Sequence, residues 1–316
     1  MSDALARLFC HSLCFALLSC APARAQPDGW RALIQQADVL YQQGWYEQAT
    51  VAAARALERA ERDLGPGHPD VATSLNLLAL VYRAKGDYPR AEPLQKRALA
   101  ILEKFLGPEH HSVAIALGNL AELYEAQGRY AEAEDAYRRA LGNVERVLGP
   151  HHPNVATWLN SLAGLYYAQV RFAAAQPLYE RALSIREKAL GPYNPAVAAS
   201  LNNLAALHSA RGEWAAAEPL YQRSLDIAVS RMGPGHPAVA VALNNLADLH
   251  GAQGEYAEAE VLYRRSLAIR ESALGPEHPE VAGSLETLSK LCRVMGRRDE
   301  AKALADRAAA IRARAR

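Results

Sequence analysis

The sequence is short of the residue types that build covalent, metal or sheet frameworks. Of its four cysteines, Cys10, Cys14 and Cys20 fall at the very start, so Cys292 stands alone in the rest of the chain and cannot close an internal disulfide there. Aromatic residues make up only 7%, while half of the chain is apolar and dominated by Ala and Leu, a balance that suits closely packed helices and leaves little for strands. Charge of one sign is lacking too: the formal net charge is +1, and without residues 1–25 acidic and basic residues are equal in number. A neutral chain with no basic stripe has no electrostatic footprint for nucleic acid. Absent as well are His-Glu-x-x-His, Gly-x-Ser-x-Gly, Cys-x-x-Cys and a phosphate loop, so the sequence implies no catalysis, no metal and no cofactor.

The one long apolar run is at the start. Arg7 precedes an apolar stretch from Leu8 to Ala21, and Ala23-Arg24-Ala25 supplies a small-x-small cleavage pattern before Gln26. Residues 1–25 therefore read as a signal peptide, and the expected location is periplasmic or secreted. Leu17-Leu18-Ser19-Cys20 resembles a bacterial lipobox, which makes a lipid-anchored envelope protein the alternative. A leader that fails to function would leave the chain cytoplasmic.

What fills the remainder is repetition. Leu64-Gly65-Pro66 recurs as Leu106-Gly107-Pro108, Leu148-Gly149-Pro150, Leu190-Gly191-Pro192, Met232-Gly233-Pro234 and Leu274-Gly275-Pro276, each 42 residues after the last. A fixed period in this range is the mark of a stacked array whose units bury their apolar faces on one another. Leu75, Leu78, Ala79 and Tyr82 recur at three- and four-residue steps, giving a first helix from about Val71 to Ala84. Gly86 follows where a left-handed residue would end it, matched by Gly44, Gly128, Gly212, Gly254 and Gly296. A second helix then carries Tyr88, Ala91, Ala98 and Leu99 and runs to Leu106. Seven such pairs are expected, near residues 30–64, 71–106, 113–148, 155–190, 197–232, 239–274 and 281–314, within a repeat region spanning 26–316.

The order Leu75-x-x-Leu78-Ala79-x-x-Tyr82, then Gly86-x-Tyr88, Ala91 and Ala98, resembles the tetratricopeptide repeat (TPR). The longer unit with Leu-Gly-Pro-x-His-Pro is similar to the variant of kinesin light chains and many bacterial proteins. The resemblance implies an all-α, right-handed solenoid of about seven helix-turn-helix repeats, with first helices lining a concave surface and second helices outside.

Three departures stand out. Val170 occupies the turn-glycine slot of the fourth repeat, where a β-branched residue in a left-handed conformation would be strained by roughly 1–2 kcal/mol, so another turn geometry is expected there. His208 and His250 take the slot of Tyr82, Tyr124 and Tyr166 and read as space-filling histidines with a hydrogen-bond partner. The loop histidines His68, His152, His236 and His278, with the pairs His110-His111 and His151-His152, invite a metal reading. An expected separation of ~20 Å between repeats argues instead for capping or loop packing.

On the concave surface that the resemblance implies, asparagines gather. Asn76, Asn160, Asn202 and Asn244 share one repeat position, and Asn119, Asn203 and Asn245 share the next. A side-chain amide offers two donors and an acceptor, enough to hold the backbone of an extended segment, although the first set could equally tie neighbouring helices together. Arg83, Glu122, Glu125, Tyr167 and Asp248 fall on the same surface and would set side-chain preference. The expected function is a non-enzymatic scaffold that binds a peptide or helix of a partner protein in this groove. The alternative is a structural or assembly component of the bacterial envelope that uses its outer or terminal surfaces.

Overall fold

First helices of the second to seventh repeats start at a side-chain acceptor, followed in all but the third repeat by proline. Proline at the first helical position sacrifices nothing, because the N–H there has no helical partner. In the computed structural model, which describes residues 29–314, Nδ1 of His68, His110, His152, His236 and His278 accepts from the backbone N–H two residues on, at 3.1–3.2 Å. Asn194 Oδ1 does the same at 2.9 Å. The rings thus stand in for the Ser or Asp more usual at this position and satisfy one orphan N–H of each helix start. The leader, cleavage before Gln26 and the lipidation alternative at Cys20 lie outside the described residues.

Fourteen α-helices are present among the described residues: α1 (Trp30–Gln42), α2 (Tyr46–Leu64), α3 (Pro69–Ala84), α4 (Tyr88–Leu106), α5 (His111–Ala126), α6 (Tyr130–Leu148), α7 (Pro153–Ala168), α8 (Phe172–Leu190), α9 (Pro195–Ala210), α10 (Trp214–Met232), α11 (Pro237–Gln253), α12 (Tyr256–Leu274), α13 (Pro279–Val294) and α14 (Arg298–Arg314). They form seven helix hairpins of an all-α solenoid fold. None of them is long and apolar enough to cross a membrane. The chain divides between Leu165 and Tyr166 into two compact units.

Within a hairpin the helices meet at a small residue. Ala98, Ala140, Ala182, Ser224, Ser266 and Ala308 hold one register of the second helix and are almost wholly buried. Where serine replaces alanine it stays satisfied, since Ser224 Oγ donates to the Ala198 carbonyl at 3.1 Å and Ser266 Oγ to Ala240 at 2.8 Å. Cores run on from hairpin to hairpin. Ala37, Ala52 and Ala53 pack with Leu78 of the next repeat, and Tyr263 packs with Leu288, Leu291 and the buried Cys292.

Successive first helices touch at their nearest points. Cα atoms of α1 and α3, α3 and α5, and α9 and α11 lie within 8 Å. Successive second helices within a unit approach less closely, so the first helices occupy the tighter side of the stack. Occupation argues against a metal reading for the histidine caps, because each Nδ1 is already committed to a helix N–H.

The second helices are laced to one another by charge. Arg97, Arg139, Arg223 and Arg307 each pair with a glutamate one repeat back, Glu61, Glu103, Glu187 and Glu271, at 2.6–3.0 Å. Each such exposed pair is worth at most about 1 kcal/mol, and the series ties each of these second helices to the one before it at the same register.

The turn at Val170 corrects the expectation. Val170 adopts φ 60°, the same left-handed region as the glycines of the other turns. Its N–H donates to Tyr167 O at 2.9 Å and that of Arg171 to Tyr166 O at 2.8 Å, the pattern that Gly86 and Asp87 make. Hairpin geometry thus overrides the side chain's preference, and Val170 itself is 70% exposed and gains little from burial. His208 and His250 are half-buried as expected of space-filling rings, and each meets a carboxylate across its turn, Glu213 at 2.7 Å and Glu255 at 2.6 Å. Where the slot holds tyrosine, the turn instead supplies a cation: Arg129 lies 4.2 Å over Tyr124 and Arg171 4.3 Å over Tyr166.

Gly118 is required for a different reason. A Cβ built on it would lie 2.4 Å from the ring of Trp158, which is 2% exposed and fills the space beside α5. Gly118→Ala, which in an open helix would stabilise, is expected to cost about 1–3 kcal/mol here, measured by denaturant unfolding. Val170→Gly should raise stability by about 1 kcal/mol, read as a higher melting temperature. A neutral result at either position would remove the steric account given for it.

Candidate functional site

The tighter side of each unit is built by first helices, whose residues between the core positions face outward there. In the first unit this face is charged and largely self-satisfied. Arg83 of α3 pairs with Glu122 of α5, one repeat on, at 2.5 Å. Glu125, one turn beyond Glu122, is half-buried; burial, and then the charge of Glu122, pushes its carboxyl above the ordinary glutamate value. The Tyr137 hydroxyl of α6 donates to Glu125 Oε2 at 3.4 Å. Asn119 lies half-buried beside them.

The second unit presents a different face. Asn203 on α9 and Asn245 on α11 are half-buried, and Asp248 is exposed. The Tyr263 hydroxyl of α12 donates to Asp248 Oδ1. Surrounding protein displaces much of the water around that carboxyl, and this desolvation raises it above the ordinary aspartate value. Burial likewise raises the Tyr221 phenol of α10, with further contributions from Tyr167 and Asp248, so these three groups lie within electrostatic reach of one another. Tyr167 is raised by burial alone and packs its ring against Phe172, centroids 5.5 Å apart.

The two asparagine registers separate. Those of the first register turn toward the hairpin interior and not to the open face. Asn160 is 5% exposed. Asn244 lies against Ser266 Oγ and Arg270, and the amide orientation that satisfies all of them has nitrogen donating to Ser266 Oγ at 2.8 Å and oxygen accepting from Arg270 at 2.8 and 3.2 Å. In the seventh repeat Glu286 holds this register and receives Arg312 at 2.6 and 2.9 Å in the same manner. Leu102 and Ala228 replace that arginine in the second and fifth repeats, and there the Oδ1 atoms of Asn76 and Asn202 are buried without a partner. Adjacent residues on a helix differ by about 100°, enough to move one register inside while the next stays at the surface.

Tyr137, Tyr221 and Tyr263 escaped the sequence reading because they belong to second helices. Their signal was present: tyrosine recurs at positions 137, 179, 221 and 263, with glutamine at 95. At two of these positions the phenol reaches a carboxylate on the first helix of its own hairpin, Tyr137 to Glu125 and Tyr263 to Asp248.

Comparison with known proteins gives one family. The model described as tetratricopeptide repeat matches residues 31–104, 76–145, 112–188, 157–230, 196–272 and 238–314. No curated protein matches the chain. Among solved structures, BtubC (BKLC) from P. vanneervenii is 25% identical, with a TM-score of 0.61 over 73% of this chain and 92% of that one. A Podosopora anserina protein assigned as a kinesin light chain, with nearly identical TPR-like repeats, is 28% identical, with a TM-score of 0.57 over 66% of this chain and 98% of that one. A Rap protein complexed with Competence and Sporulation Factor shares the fold at 17% identity, with a TM-score of 0.59 over 90% and 77% of the two chains.

The raised Asp248 carboxyl makes a stability prediction. An acid whose value is higher folded than unfolded favours folding when protonated, and that contribution is lost as pH rises through the folded value. Asp248→Asn, which keeps an acceptor for Tyr263, should therefore melt at a higher temperature than the native chain at pH 8. The gap should close toward about pH 4, the ordinary aspartate range. A variant less stable at pH 8 would show that the ionised carboxylate is net stabilising.

Proposed function

Because the chain belongs to the tetratricopeptide repeat family, whose matches extend from residue 31 to 314, we propose that it is a binding scaffold. Its second unit holds a segment of a partner protein against the face formed by first helices α9 and α11. The observation that carries this reading is the contrast between the two sides. On the second-helix side one register of arginines is paired from repeat to repeat, Arg223 with Glu187 and Arg307 with Glu271. The first-helix side leaves Asn245 half-buried and Asp248 exposed, and Asp248 has no cationic partner among the described residues.

Amides of the second register, Asn119 in the first unit and Asn203 and Asn245 in the second, suit backbone groups of a bound segment, since each can donate and accept at once. Tyr167 and Asp248 add side-chain preference. In the first unit Arg83, Glu122 and Glu125 play that part less freely, being bound to one another or to Tyr137. Asn76, Asn160, Asn202 and Asn244 serve the helix packing that keeps the face in shape. Preformed helices lower the ordering cost on the scaffold's side of the complex. We also propose that the chain is exported through residues 1–25, which N-terminal sequencing of the cellular protein tests by finding Gln26 or Cys20 first.

Site-directed photocrosslinking checks the face. A benzophenone amino acid replacing Asn245 is expected to give partner adducts in the producing cell, whereas one replacing Val261, 67% exposed on α12, gives none. Adducts from position 261 alone would move the interaction to the second-helix side and favour the structural, envelope reading.

A further inference from the structure

We propose that the inner face of the second unit contains a receptor site for one cationic side chain, lysine or arginine, of the bound segment, centred on Asp248 and rimmed by Tyr221 and Tyr263. This rests on the reading of that face as the binding surface and names the chemistry that it selects.

The repeat itself shows what is missing at Asp248. In the first unit the acid of α5, Glu122, is neutralised by Arg83 from the preceding first helix. Three repeats later the equivalent positions hold Asp248 and Ser209. The acid has been kept and its cation replaced by a small neutral residue. Lys290, which stands at the Asp248 register one repeat on, forms no ion pair with it among the described residues. No other ionisable side chain lies on the inner registers of α9 and α11, where Ala199, Ala206, Ser209, Val241 and Gly251 accompany the asparagines.

Room and surroundings fit the missing group. Asp248 is exposed, and a Cβ added at Gly251, one turn after it, would meet nothing within 4 Å, so the helix surface there is uncovered. Ala206 and Ser209 keep the neighbouring helix short on that side. Tyr263 donates to one carboxylate oxygen, leaving the other free to accept, and Tyr221 lies near enough to feel the charge. A cation entering here would meet a carboxylate held in place by the Tyr263 hydroxyl, with the ring of Tyr263 buried behind it. Desolvation already raises the carboxyl, and an arriving positive charge would relieve that penalty. A single carboxylate with phenols supplies too few hard ligands for a metal ion.

The test uses a phage library of random twelve-residue peptides selected on the native chain, with the strongest binders synthesised and measured by isothermal titration. Selected peptides are expected to share a Lys or Arg. Its replacement by norleucine or citrulline should weaken binding about tenfold. Asp248→Asn should weaken the native peptide by a similar factor and make the chain indifferent to that replacement. Ser209→Arg rebuilds the Arg83–Glu122 arrangement in cis and should block the site while the protein remains folded by thermal melting. Binders without a basic residue that still depend on Asn245 would overturn the cation site and leave the binding face standing. Binders indifferent to Asn245 and Asp248, or no binders at all, would overturn both.

Discussion

Everything in this molecule depends on how closely two helices of a hairpin approach at one small residue. With Ala98, Ala140, Ala182, Ser224 or Ser266 at the crossing, no side chain holds the backbones apart. That closeness puts the phenols of the second helices within reach of the first-helix face, as Tyr137 and Tyr263 show. A larger residue there would push the second helix outward and withdraw those hydroxyls from Glu125 and Asp248. Packing and the candidate site are thus consequences of one constraint repeated every 42 residues.

Much of the fold was legible because its determinants are local. Leu-Gly-Pro marks helix ends, a capping histidine before proline marks helix starts, and three- and four-residue spacing marks the buried stripe. The turn at Val170 was not legible, because hydrogen bonds closing the hairpin outweigh about 1–2 kcal/mol of left-handed strain in one residue.

The site was half legible. Repetition located two asparagine registers, but a neighbouring helix decides which of them is available. Asn244 is claimed by Arg270, which stands 26 residues later and belongs to the second helix. The tyrosines were visible as a recurrent residue and invisible as inner-face groups, since helical periodicity assigns each residue to a side of its own helix only. Exchanges between repeats proved more informative than any one motif. Tyr124 with Arg129 becomes His208 with Glu213, and Arg83 with Glu122 becomes Ser209 with Asp248. The first exchange preserves a contact by changing both members. The second changes one member and leaves a charge unanswered.

The Trp158 indole carries a consequence for how such a chain can change in length. Repeats of near-equal sequence are prone to slip against one another, losing or gaining one unit in register. Trp158 tolerates only a glycine at the facing position of the preceding repeat, and only the third repeat has one, Gly118. Removal of that repeat would bring Asn76 beneath the indole, while copying the fourth would set the duplicate Trp158 over Asn160. The joint between the third and fourth repeats therefore fixes their order, and the array can grow or shrink at that point only if two residues 40 apart in sequence change together.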